Sequence, residues 1–179
     1  MSRPNHRDAI DRTGLLAALA AYDPRIAGTP PLGLDLPASD IDILCHAPDP
    51  VRFTSDVWMA FGSCQDFRVW QWSTADRPVV ATFVAYDWRF EVFGQAKPVS
   101  EQTGWRHFVV ERRLLALGGR RLAACVMAFR RNGLKTEPAF AAALKLQGNP
   151  YQTLLGLDDH GDEALAQLID RSIDGPHAT

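Results

Sequence analysis

Ser39-Asp40-Ile41-Asp42-Ile43-Leu44-Cys45 begins by alternating acid with branched apolar residue. A period of two is that of a β-strand with one wet face and one buried face. Asp40 and Asp42 then point the same way, while Ile41, Ile43 and Cys45 point into a core. Two carboxylates side by side repel one another and lose hydration together. A cation between them relieves both costs. Hard oxygen ligands on a rigid strand suit Mg²⁺, or Mn²⁺ in its place.

Upstream, Ala27-Gly28-Thr29 leads into a Gly- and Pro-rich stretch that runs through Pro37. Gly28 lets the backbone approach a phosphate closely, and the Thr29 hydroxyl can donate to one. Downstream, Phe67 to Trp72 and Pro78 to Tyr86 read as strands, with a turn near Thr74-Ala75-Asp76. Arg89-Phe90-Glu91-Val92-Phe93 is a third strand of half-buried pattern, and Asp87 marks the turn before it.

Helices frame this strand-rich part. Arg12 to Tyr22 is one, ended by Asp23-Pro24. Pro50 to Gly62 is another, with Asp49 as its cap. After Pro98 only helices are expected. Ser100 to Leu117 is broken by Gly118-Gly119, and the next has Leu122, Cys125, Val126 and Phe129 on a buried face. Thr136 caps a short helix through Leu146, and Leu165, Leu168 and Ile169 mark the last. Residues 1–97 therefore form a core with strands, and residues 98–179 a helical region packed on it. The first few residues and the tail after Asp174 are expected to fray.

The arrangement of Gly28-Thr29, a spacer of about ten residues and Ser39-Asp40-Ile41-Asp42-Ile43 resembles the signature of the nucleotidyltransferase superfamily, the DNA polymerase beta-like fold. Thr29 stands where Gly or Ser is usual, and Pro30, Pro31 and Pro37 replace the usual basic, Gly-rich loop. The resemblance implies an α+β fold with a mixed sheet flanked by helices and a helical C-terminal part. It implies a third carboxylate on a later strand, for which Glu91 is preferred over Asp87. Asp40, Asp42 and Glu91 would be the metal ligands and catalytic acids, with Glu91 helping to deprotonate an acceptor hydroxyl. A nucleoside triphosphate would be the substrate. Gly33 to Ile43, Phe90 to Gln95, Trp105-Arg106-His107, Gly133 to Phe140 and Asn149-Pro150-Tyr151 also resemble a bacterial family of unknown function, over most of the chain.

Further residues could serve the same site. Arg106 and His107 could touch phosphates or the acceptor, and His107 could face Glu111 one turn along its helix. Lys135, beside a helix start, is a plausible anion ligand. Ser39 belongs to the most specific run of the motif. Each has an ordinary structural alternative, and Gln102 reads as an exposed polar residue. Trp88, Trp105 and Tyr151 could stack on a base, although aromatics are more often core.

Bulk composition narrows the partners. The 179 residues carry a net charge of −2 and are 46% hydrophobic, so nothing pulls the whole chain toward nucleic acid or anionic lipid. Eight of the basic residues fall between Gly104 and Lys135, opposed there only by Glu111. That keeps RNA open as an acceptor, but a small molecule or protein hydroxyl fits a short, near-neutral chain better. Cys45, Cys64 and Cys125 have no zinc or redox spacing and read as free, buried thiols in a reducing cytoplasm. No signal sequence or membrane span is expected. There is no Walker lysine loop, Gly-x-Ser-x-Gly elbow or His-Glu-x-x-His motif. A catalytically inactive nucleotide- or partner-binding module, antitoxin-like ones included, is the competing expectation. The base, the acceptor and the oligomeric state are not encoded in any motif.

Overall fold

The computed structural model describes residues 3–73 and 76–173. The turn expected at Thr74-Ala75 and the tail after Asp174 lie outside them, as do the first two residues. The chain divides into two compact units, Met1–Trp105 and Arg106–Thr179.

The first unit is a five-stranded mixed sheet with helices. Its strands are β1 (Arg25–Ala27), β2 (Ile41–His46), β3 (Gln65–Gln71), β4 (Val79–Ala85) and β5 (Trp88–Gln95). Their order across the sheet is β1-β2-β5-β4-β3. β2 runs parallel to β5, and the remaining pairs are antiparallel. Tyr86 and Asp87 join β4 to β5 with φ of 52° and 60°. Two left-handed residues are what a two-residue hairpin turn needs, so Asp87 is a turn residue, as expected.

Helices α1 (His6–Thr13), α2 (Leu15–Ala18) and α3 (Pro50–Phe61) supply apolar side chains to one side of the sheet. Asp49 caps α3, accepting the backbone N–H groups of Val51 and Arg52 at 3.0 Å. Phe53, Val57 and Phe61, one turn apart, are its buried stripe. They join Ile41, Ile43, Cys45, Val79, Ala81, Phe83, Phe90 and Val92 in a single core. Phe83 stacks between Phe61 and Phe90, with ring centroids 4.7 and 5.0 Å away.

Several boundaries differ from the sequence reading. The first helix starts at His6, where Asn5 accepts from the Asp8 N–H, and it stops at Gly14, whose φ of 64° no helix interior adopts. A second short turn of helix follows, so the expected single helix from Arg12 to Tyr22 is broken. The three residues of β1 are too few to show a period. Gln102 is buried, and its side-chain amide donates to the Cys45 carbonyl at 2.9 Å and the Lys97 carbonyl at 3.0 Å. Of the three thiols, only Cys45 is fully buried.

The second unit is helical. Helix α4 (Thr103–Arg131) enters it from the end of the first and is kinked at Gly119, whose φ of 55° and ψ of −149° break the helix where Gly118-Gly119 predicts. α5 (Thr136–Ala143), α6 (Pro150–Leu155) and α7 (Asp162–Ile173) follow. Lys135, not Thr136, holds the N-cap position of α5. Asn149 caps α6, a helix the sequence reading passed over. The Ser172 hydroxyl donates to the Leu144 carbonyl at 3.0 Å and ties α7 to the end of α5. Among the described residues, no helix is long and apolar enough to cross a membrane.

Candidate functional site

Strand pairing brings the acids of the first unit onto one face. Asp42 on β2 is directly opposite Glu91 on β5, and Ala27 on β1 flanks Asp42 on its other side. Both carboxylates are half-buried, whereas Ile41, Ile43, Phe90 and Val92 between and beside them are fully buried on the core side. Directly opposed residues on neighbouring strands have Cβ atoms about 5 Å apart. Asp40 precedes β2 by one residue and lies two positions before Asp42. Its carboxylate meets the Arg89 guanidinium at 3.8 Å, and Arg89 lies two before Glu91 on the same face. Among the described residues, no three His, Cys, Asp or Glu side chains stand close enough together to hold a metal ion in their present rotamers.

Gly28 fits this face for a steric reason. Its φ is 74°, and a Cβ built on it would lie 1.9 Å from Asp42 Oδ2. Any side chain there would displace the carboxylate. Thr29 Oγ1 donates to Ser39 Oγ at 3.2 Å, and Ser39 Oγ also accepts the Leu36 N–H at 2.8 Å. These bonds close the proline-rich spacer, whose Pro30–Leu32 segment winds into a short 3₁₀ turn. Arg3 crosses the spacer, donating to the carbonyls of Pro37 and Ser39 and lying over the Trp88 ring.

Burial pushes the Asp40 carboxyl above the usual carboxylate range, although Arg89 and Arg3 pull it back. The face therefore holds a partly desolvated acid whose charge Arg89 and Arg3 offset only in part, and an added cation would be favoured by the acids and opposed by those two arginines. The oxygen donors of Asp40, Asp42 and Glu91 and the Gly28 approach fit Mg²⁺ by chemistry.

Most of the remaining expected residues belong to the second unit, and Trp88 and Trp105 to the first. Arg106 pairs with Asp158 at 2.9 Å. His107 is buried, its Nε2 lies 2.9 Å from the Tyr151 carbonyl and its Nδ1 4.0 Å from Glu137. Lys135 is exposed at the α5 N-cap. Glu111 is buried with Oε1 lacking a hydrogen-bond partner. Burial first, and the charge of Glu137 next, raise its carboxyl well above the usual range against the pull of Arg130. Tyr151 is partly exposed, Trp88 is core and donates its indole N–H to the Pro4 carbonyl, and Trp105 lies under Arg25.

The sequence reading missed Arg89, Arg68 and Thr82. Arg89 was legible, being two residues before Glu91 in the same alternating run. Arg68 and Thr82 share a row with Glu91 through the pairings Arg68↔Thr82 and Thr82↔Glu91. No sequence period reports cross-strand register.

The sheet order and the acid face define a nucleotidyltransferase fold, and comparison with solved structures agrees. The Cid1 poly(U) polymerase with MgGTP bound matches 78% of this chain and 48% of its own at 13% identity and a TM-score of 0.59. A structure of Cid1 described for its RNA terminal uridylyl transferase activity matches 77% and 47% at 14% identity and a TM-score of 0.58. The GLD-2/RNP-8 complex matches 89% and 71% at 10% identity and 0.52. At such identities the likeness establishes the fold alone, and the chain spans about half the length of the Cid1 chains. The chain belongs to the DUF4269 family, a domain of unknown function, whose model matches residues 8–157. No curated protein matches it.

Proposed function

We propose that this chain is a nucleotidyltransferase that moves a nucleoside monophosphate from a nucleoside triphosphate to a hydroxyl acceptor. The observation that carries the reading is the Asp42–Glu91 pair on parallel strands, with Asp40 two residues upstream and the Gly28 backbone against Asp42. Asp40, Asp42 and Glu91 would hold Mg²⁺, which when bound would neutralise charge on the phosphate oxygens. The Gly28 turn would let the phosphates approach the strand. Glu91 would take the proton of the acceptor hydroxyl as its oxygen bonds to the α-phosphorus. The bond from that phosphorus to the bridging oxygen breaks, and pyrophosphate leaves. Arg89 would pass from Asp40 to an incoming phosphate, since a guanidinium 3.8 Å from its acid is loosely held.

The test is thermal stabilisation by ATP or GTP with Mg²⁺ or Mn²⁺, followed by an assay for pyrophosphate release. Asp42→Asn is expected to abolish the metal-dependent stabilisation while leaving the fold intact. Stabilisation of equal size in that variant would overturn the assignment. A non-catalytic nucleotide-binding module is favoured by one observation: the Thr29 hydroxyl is engaged with Ser39. Metal-dependent binding without pyrophosphate release, over a range of acceptors, would select that reading.

A further inference from the structure

We infer that the shallow pocket lined by Asp66, Arg68, Thr82, Phe83, Val84 and Arg89 is the acceptor subsite. It would take a small hydroxylated molecule by a single oxyanion, a phosphate ester or a carboxylate. This rests on the assignment of Glu91 as the proton acceptor, and it names the class of molecule whose proton Glu91 takes.

Position carries the first part of the argument. Glu91 on β5, Thr82 on β4 and Arg68 on β3 form one row across the sheet, on the same face as Asp42. Neighbouring strands are about 4.8 Å apart, so Arg68 starts roughly 10 Å from Glu91, with Thr82 between them. The pocket takes in Arg68 and Thr82 of this row, with Val84 and Arg89 beside them, and ends next to Glu91. Thr82 itself is buried, so a molecule whose anion sits at Arg68 would point its hydroxyl end along the row toward Glu91, which lies just outside the pocket lining.

Charge carries the second part. Arg68 and Arg89 contribute two guanidiniums, of which Arg68, the one not assigned to the nucleotide, can grip an oxyanion through two parallel N–H donors. Arg89 also serves Asp40, whereas Arg68 is exposed at the open edge of the sheet. Asp66 subtracts one charge from the lining, leaving it at one positive unit. That balance suits one oxyanion better than a run of phosphates.

Size carries the third. The pocket holds about 190 Å³, below the roughly 300–1,000 Å³ typical of sites for drug-sized ligands. It has room for an anionic group and a few carbons. The next row on this face, Leu44, Phe93, Val80 and Trp70, is apolar and contributes nothing to the pocket lining.

The experiment is calorimetric titration of the full chain, without metal or nucleotide, using ribose 5-phosphate, gluconate and ribose. At least one of the two anions is expected to bind tenfold or more tightly than ribose, and which one does so separates phosphate from carboxylate. Arg68→Gln is expected to remove that difference, and Arg68→Lys to restore part of it, with the melting temperature of both near that of the parent. Equal affinity for ribose and both anions would overturn the inference, as would anion binding indifferent to Arg68→Gln. Arg68-dependent binding of a 5′-phosphorylated oligonucleotide, with none of ribose 5-phosphate or gluconate, would overturn it too. Because no nucleotide is present, failure here leaves the Asp42→Asn result standing.

Discussion

One strand, β2, serves two regions that differ in almost every physical respect. On one face, Ile41, Ile43 and Cys45 are wholly buried with Phe53, Phe83 and Phe90. On the other, Asp42 sits half-buried between Ala27 and Glu91, with Asp40 and Arg89 close by. The first face gains free energy from every methylene it hides, about 0.8 kcal/mol for each. The second spends some of it, by crowding like charges and stripping water from Asp40. A group of acids that costs stability where it stands is a common mark of a site kept for binding. The two faces should therefore respond oppositely to substitution.

The largest effect is expected on the core face. Phe83→Ala removes a ring stacked against two others and should cost about 3–5 kcal/mol. Asp42→Asn, on the opposite face, should change stability by less than about 1 kcal/mol while abolishing metal-dependent nucleotide binding. Urea unfolding of both variants measures the contrast. Equal destabilisation would break it and make Asp42 a structural residue.

Gly28→Ala tests where the two regions touch. The added Cβ would need space held by Asp42 Oδ2, and the backbone sits at a positive φ. Over-packing of this kind costs about 1–3 kcal/mol. The Asp42 carboxylate must also rotate away, so nucleotide stabilisation in the presence of Mg²⁺ should be lost along with the moderate fall in stability. A variant that loses stability but keeps its nucleotide response would show that the approach of Gly28 shapes the fold and not the site.

The contrast also explains what could be read in advance. Asp40 to Leu44 announced itself because alternation is local, and the same rule picked Glu91 over Asp87 before any pairing was known. Asp49 and Gly118-Gly119 were legible because caps and helix breaks depend on neighbouring residues alone. Three kinds of feature were not. Arg25–Ala27 is too short for a period. Gln102 looked exposed because its partners, the carbonyls of Cys45 and Lys97, are set by the tertiary fold. The row from Glu91 through Thr82 to Arg68 depends on register between strands, including the irregular pairing between Gln65 and Arg68. The acids of the proposed site were therefore legible in the sequence and, Arg89 apart, the arginines near them were not.

The smallest effect sharpens the comparison by moving it to a second acid, Glu111. Like Asp40 it is desolvated, but it lies buried among helices with one oxygen unsatisfied, near Glu137 and Arg130. Its carboxyl is held well above the ordinary value of 4.5. The folded chain therefore binds this proton more tightly than the unfolded chain does. That contribution to stability is complete below pH 4.5 and is lost as pH rises through the raised value. Glu111→Gln cannot titrate and keeps a donor in place of the proton. It should be more stable than the parent by about 1 kcal/mol at alkaline pH, with the gap closing toward pH 4.5. Urea midpoints of the two proteins across that range measure it. A gap that stays constant, or widens on acidification, would mean that Glu111 is charged and satisfied in the fold, and that burial alone does not mark an acid as strained.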